Sequence, residues 1–307
     1  MSTAQAGFSP EQQSYLVEAL KRLNIEKAFN PGGGAGGASE PETVYGFALE
    51  DLCKEELKKR ELHPLDMQRQ LESWTAQGEI ATGLDQFLLR HLGFFNVEPN
   101  STGYMMRLRA PANILRSDQM RVLADVAERQ AGGYAHVTTR GSLQMREIQP
   151  ANVIAIMDAL QDCGLTAQGT GADSARNLTA SPTGGFDPLE LIDLKDHAKT
   201  LAKRILRTRE LQGIPRKFNI SFDNGGSISC VSDTNDIAFF AVEVRENEQG
   251  VEPGVRCRIA LGGITGHKDF ARATGMVCHP DPAVDVGEAM LRVFVRHGDR
   301  TNRKKAR

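Results

Sequence analysis

Between Phe94 and Leu165 the spacing of apolar residues switches repeatedly between two and three-to-four, and that order restricts the fold more than any other feature of the 307-residue chain. Tyr104 to Arg109, YMMRLR, alternates with a period of two and reads as a strand. Ser117 to Ala131 then carries Met120, Leu123 and Ala127 on one helical face, with Ser117 as cap. Tyr134 to Thr139 and Ser142 to Ile148 return to strand, and Pro150 to Cys163 is helical again through Val153, Met157 and Leu160. A short extended run near Leu165 closes the series. This order is that of a ferredoxin-like α+β sandwich.

Two further units flank it. Residues 1–80 read as a helical N-terminal extension: Ser9-Pro10 is a cap followed by a first-turn proline, and Leu16, Leu20 and Leu23 follow at helical spacing. Residues 31–39, PGGGAGGAS, form a flexible glycine-rich linker. No strand precedes it and no Lys-Ser/Thr follows, as a phosphate loop would require. After the sandwich at 81–168, residues 169–307 form a second α+β domain. It comprises a helix from Leu189 to Thr208 and strands at Phe218–Phe222, Ser227–Val231, Ile237–Val244 and Val255–Leu261. A closing helix from Pro282 to His297 is stopped by Gly298. The basic end, DRTNRKKAR, reads either as a solvated tail or as a junction to further sequence.

Charge bears on function. Lys plus Arg number 37 against 39 Asp plus Glu, a net −2, whereas a nucleic-acid binder shows a basic excess. An anion site must therefore come from local clustering of cations. No apolar run approaches the ~20 residues of a membrane span, and the N-terminus has no secretory pattern, so the expected location is the cytoplasm. The five cysteines are scattered, the nearest two 21 positions apart at Cys257 and Cys278, which reads as buried thiols and no metal site within the chain.

Alternation along YMMRLR puts Tyr104, Met106 and Leu108 toward a core, and Met105, Arg107 and Arg109 on the other face. The two guanidinium roots stand about 7 Å apart, an arrangement that fits a solvated face or a bound anion. His136, Thr138 and Arg140 share a strand face, and Gln144 offers an amide nearby. The polar segment GADSARNLTASP holds a single cation, Arg176, and PRKFN puts Lys217 and Asn219 on one side of an extended run. Singly these are ordinary surface residues. Together they place cations at strand ends in two neighbouring α+β units.

The motifs LGFFNVEP, YMMRLRAP, HVTTRGSLQM, TGADSARNLTASP, IPRKFNISF, ALGGITG and HGDRTNRKKAR resemble, in order and spacing, the siroheme-dependent nitrite and sulfite reductases over roughly residues 60–307. The resemblance is to the first of two related halves. It implies the siroheme-reductase fold for the second domain, and siroheme as cofactor. A [4Fe–4S] cluster is expected too, with ligands from a C-terminal half that this sequence does not include. Arg107, Arg176, Lys217 and Asn219 correspond to substrate-pocket residues, and Asn219 stands where nitrite reductases tend to have Asn and sulfite reductases Lys. Arg140 corresponds to an anchor for siroheme carboxylates. Gln144, His136, Gly262, Gly263 and the neighbouring Arg109 are expected cofactor contacts.

His136 departs from the Arg, and Gly141 from the Gln, usual in the motif, while Ala112-Asn113 replaces a Gly-Gly. The implied activity is assimilatory reduction of nitrite to ammonium with ferredoxin as donor, inactive until the other half, or a second chain supplying it, is present. Alternatives are a sulfite reductase half and a non-catalytic tetrapyrrole- or partner-binding module. Lys217 is the expected proton-delivery group, because Arg does not release a proton in proteins.

Overall fold

The computed structural model describes residues 43–97, 100–246 and 250–307, together with Ser9, Pro10 and Ser14. The expected helical face through Leu16, Leu20 and Leu23 and the linker at 31–39 lie outside the described residues. The first described elements are a hairpin of β1 (Thr43–Val44) and β2 (Phe47–Ala48), then helices α1 (Lys54–Glu61), α2 (Gln68–Gln77) and α3 (Gly83–Leu89). Met67, Leu71, Leu88 and Leu89 of this segment are buried in the same core as the sandwich that follows.

Alternating residues build an antiparallel sheet of β3 (Phe94–Val97), β4 (Asn100–Arg107), β5 (Ala135–Val137) and β6 (Leu143–Ile148), in the order β3-β4-β6-β5. Tyr104 and Met106 pair with Ile148 and Met145, and all four are buried against α4 (Ser117–Gln130) and α5 (Val153–Asp162). The run near Leu165 reduces to one antiparallel bridge between Arg109 and Thr166. The α+β, ferredoxin-like expectation holds here. Ser117 is not the cap of α4, however; Arg116 is, its N–H donating to Gln119 Oε1 at 3.0 Å.

The second sheet has the order β11-β10-β9-β8-β7. It comprises β7 (Thr179–Ala180), β8 (Ile220–Asp223), β9 (Ile237–Val244), β10 (Gly254–Leu261) and β11 (Arg272–Cys278). Pairing is parallel from β7 to β9 and antiparallel from β9 to β11. Helix α6 (Lys195–Arg207) buries Ala198, Leu201, Ala202 and Ile205 at i, i+3, i+4 and i+7 against it. It crosses α7 (Ala283–His297) closely at Gly287, where a Cβ would stand 3.0 Å from Leu201.

Two expectations fail here for local reasons, and a third holds with a different backbone. Helix α6 begins at Lys195 and not at Leu189, because Asp187 takes the N–H groups of Leu189 and Ser227 and holds 187–191 as a loop. Ser227–Val231 is not a strand: Asp223 accepts from Ser229 and Cys230, and Val231 adopts φ 55°. Gly298 does end α7, but in extended backbone. A side chain there would meet the Phe294 carbonyl at 2.7 Å.

The arginines of the basic end are paired, while Lys304 and Lys305 are exposed. Arg300 pairs with buried Glu56 at 2.6 Å, Arg303 makes a two-pronged contact with Asp173, and the Arg307 Nη1 donates to both oxygens of Asp236 at 2.9 and 3.0 Å. Lys59 joins Glu56 to Asp173 and donates to the carbonyls of Gly213 and Ile214. This buried network ties α1, the 171–176 loop and the last residues together.

Candidate functional site

Strand register builds half of the site. His136 pairs with Gln144, and Gln144 with Arg107, so the three lie in one row across β5, β6 and β4. The Arg107 guanidinium stands 5.0 Å over the Phe95 ring, and its Nε is buried without a partner. Burial, then the nearby Arg146, pushes its pKa below the ordinary arginine value. His136 is exposed, its ring edge-on to Tyr134 at 5.0 Å.

The other half comes from a parallel bridge between Ala175 and Phe218. The Arg176 N–H donates to the Phe218 carbonyl at 2.8 Å, and the Phe218 N–H to that of Ser174 at 3.1 Å. Ala175 and Phe218 are buried in the core, so alternation turns Arg176, Lys217 and Asn219 to the opposite side. Burial, and after it Arg107, pushes Arg176 down to about 9 against the partial relief of Asp173. Lys217 is likewise lowered, by burial first and then by Arg307, Arg176 and Arg216. Arg176 is thus the shared electrostatic neighbour of the two rows.

Between them lies a cleft of about 350 Å³ lined by Arg107, Arg140, Gln144 and Arg176, with Leu108, Val137, Thr138, Thr139, Ser142, Thr170 and Asn177. Across Arg107 and Gln144 it meets a second hollow of about 580 Å³, lined also by Gln86, Arg90, Phe95, Asn96, Val97, Met105 and Arg146. None of these lining residues is a carboxylate. Arg90, like Arg107, keeps a buried Nε without a partner. A hollow with several cations, no acid and two unused guanidinium N–H groups is suited to a ligand bearing several carboxylates.

The sequence-derived residues divide accordingly. Arg107, Arg140, Gln144 and Arg176 line one cleft, whereas Lys217, Asn219 and His136 line neither hollow; Lys217 is coupled to the cleft only as an electrostatic neighbour of Arg176. Arg109 requires correction. It is 2% exposed, and its guanidinium donates to the carbonyls of Gln168, Gly169, Ala175 and Arg176, so it clamps the loop from inside and faces no cleft. Gly169 makes room for it at φ +73°, where a Cβ would stand 2.5 Å from the Arg109 Nη2.

Arg140 is also committed to protein: it donates to Asn177 O, Asn235 Oδ1 and Ile220 O, which leaves too little of its fork to clamp a cofactor carboxylate. Gly262 and Gly263 lie behind it, their N–H groups on the carbonyls of Asp236 and Asn235, and a Cβ on Gly263 would meet the Asp233 carbonyl at 2.5 Å. Their small size serves this turn; they line neither hollow.

Several residues escaped sequence reasoning. Asn177 accepts from the Ala110 N–H and donates to the Arg140 carbonyl, pinning the two units together. Asp236 accepts from the Asn219 N–H and Arg307, yet burial pushes its carboxyl up to about 6. Arg146 could have been found, two residues from Gln144 on the same alternation. The others carry no signal in sequence. Among the described residues no three His, Cys, Asp or Glu side chains converge as a metal site, and no helix is long and apolar enough to cross a membrane.

Comparison with known proteins agrees with this architecture. Residues 97–163 match the nitrite/sulfite reductase ferredoxin-like half domain, and residues 171–307 the nitrite and sulphite reductase 4Fe-4S domain. The ferredoxin–nitrite reductase of Leptolyngbya laminosa is 34% identical over 269 residues, 83% of this chain and 51% of that protein. The chloroplastic ferredoxin–nitrite reductase of Zea mays is 31% identical over 71% of this chain and 39% of its own length. Ferredoxin sulfite reductase 1 of Mycolicibacterium paratuberculosis is 28% identical over 66% and 36%. In fold, the chain is similar to the Mycobacterium tuberculosis NirA protein, with a TM-score of 0.72 at 23% identity over 83% of this chain and 49% of that one. The chain spans about half or less of the length of these relatives.

Proposed function

Because the chain belongs to the nitrite and sulfite reductase family, we propose that it forms the siroheme- and substrate-binding half of a ferredoxin-dependent nitrite reductase. The observation that carries this reading is the acid-free cationic hollow around Arg107 and Arg176. Siroheme bears eight carboxylates, and Arg90, Arg107 and Arg146 with the Gln144 amide would hold some of them. Both orphaned guanidinium N–H groups find acceptors in this way. When bound, siroheme supplies the iron and the path for electrons. Nitrite as substrate and ferredoxin as donor are supported by the names of the relatives.

The chain's own side chains do the rest. Arg107 offsets the charge of a small oxyanion and orients it, while Arg176, its Nη groups held by the Thr170 and Ala172 carbonyls, adds positive field; fixed in advance by the sheet and the bridge, they need no reorganisation as charge builds up. Lys217, its ammonium lowered by burial and neighbouring cations, holds a transferable proton at Nζ. Asn219, neutral where a second lysine would add charge, suits the monoanion nitrite better than the more highly charged sulfite. The five thiols, all free and not gathered in one place, do not fit a [4Fe–4S] cluster held by this chain.

The test is anaerobic titration of the purified chain with siroheme, followed in the visible spectrum, and then with nitrite. A saturable Soret band is expected, weakened at least tenfold by Arg107→Ala. Lys217→Met should leave siroheme uptake within twofold while reducing the nitrite-induced shift. No spectral change on adding siroheme, or equal uptake by Arg107→Ala, overturns the reading.

A further inference from the structure

Cys257 lies within β10 and Cys278 ends β11, and the antiparallel register makes them direct Cα partners. Residues opposite one another in such a pair carry Cβ atoms about 4.5–5.5 Å apart, close to the ~3.5–4.5 Å span of a disulfide. Chain folding thus brings two thiols 21 positions apart in sequence within a small adjustment of a bond. Both are free thiols, facing one another across the β10–β11 pair. Cys257 is completely buried, whereas Cys278 is half-buried at the strand end, where a small reagent can reach it.

The remaining cysteines have other surroundings. Cys163 donates to the Leu160 carbonyl, Cys230 contacts Ser232 and the Phe222 carbonyl, and Cys53 stands at the N-terminal boundary of α1 without a side-chain cap bond.

We propose that Cys257 and Cys278 form a reversible dithiol–disulfide pair, oxidised by a low-molecular-weight disulfide of the glutathione type. The Cys278 thiolate attacks one sulfur of the reagent, whose S–S bond breaks and releases one thiolate. The Cys257 thiol then gives up its proton and attacks Cys278 Sγ, expelling the second thiolate. The protein loses two electrons and two protons, and the reagent is reduced to two thiols. Cys278 suits the attacking role because it is the more accessible of the two, and the fully buried Cys257 suits the resolving one. The new bond would staple the edge strand β11 to β10 and close the loop that contains Gly262 and Gly263, which rest on the turn holding Arg140.

The experiment treats the folded full chain with oxidised glutathione, alkylates without reduction and digests with trypsin. Five free thiols should fall to three, with the dipeptide Cys257-Arg258 joined to the peptide from Ala273 to Arg292, and dithiothreitol should reverse the change. Closing a loop of this size should raise Tm by about 5 °C. Cys257→Ser should trap glutathione on Cys278, and Cys278→Ser should leave Cys257 unmodified. A stable glutathione adduct on Cys278 of the unaltered chain, a bond to any other cysteine, or five thiols persisting overturns the proposal. None of these outcomes depends on the reductase reading.

Discussion

Lowering the pH from 7 to 5 probes the interior behind the cleft through one residue, His91. Its ring is 1% exposed, edge-on to Phe87 at 5.4 Å, with Nδ1 3.2 Å from the Leu88 carbonyl and Nε2 without a partner. Its own carbonyl accepts the Gly169 N–H at 2.6 Å, on the loop that leads to Arg176. Burial, with Lys59 adding like charge, pushes its pKa from 6.5 down to about 3. The folded state therefore holds the neutral ring, while the unfolded chain takes up a proton near pH 6.5. Stability from this residue is complete above that value and is lost as pH falls toward about 3. At pH 5, some 1.5 units below the unfolded pKa, the loss amounts to about 2 kcal/mol at ~1.36 kcal/mol per unit.

His63 shifts in the same direction and Asp236 in the opposite one, so the pH dependence of the protein alone does not isolate His91. His91→Asn does: its amide can keep the bond to Leu88 but does not titrate. Urea unfolding of both proteins at pH 7 and pH 5 should show the wild type losing about 2 kcal/mol more than the variant. Parallel losses would refute the claim that the buried neutral imidazole carries this pH dependence.

Asp236 gives the complementary test. Its folded pKa of about 6 exceeds the ordinary carboxyl value, so its contribution is present below pH ~4 and disappears as pH rises through about 6. Against Asp236→Asn, the wild type should lose about 1.3 kcal/mol more between pH 5 and 7, read by the same denaturation method. Arg109→Ala should cost ~3 kcal/mol or more in urea unfolding, because it strips partners from several buried carbonyls at once; a loss below ~1 kcal/mol would show that water replaces the guanidinium. Asn219→Lys should shift the ratio of nitrite to sulfite affinity of the siroheme-loaded chain toward sulfite; an unchanged ratio removes Asn219 as a selector.

Local rules made much of the fold legible. Alternation of Tyr104, Met106 and Leu108 against Arg107 set the faces of β4, because a strand permits only two, and helical periodicity located α4, α5 and α7 to within a few residues. The row from His136 through Gln144 to Arg107 required the register of three strands. The cations themselves were visible in sequence, but the partners of each guanidinium were not. Arg109 and Arg107 are two residues apart on one nominal face, yet one is consumed by carbonyls some sixty positions away and the other is left with an unused N–H.

The same limit explains the basic end, where Arg300, Arg303 and Arg307 meet Glu56, Asp173 and Asp236 only in the folded chain. It also explains Cys257 and Cys278, separate in the chain and opposite in the sheet. Sequence by itself determined the alternation of faces along the strands and helices and which groups could carry charge, since these follow from neighbours a few bonds away. The tertiary structure alone decided which charges are satisfied and which remain for a ligand, since hydrogen-bond capacity is filled by whatever the fold brings within about 3 Å.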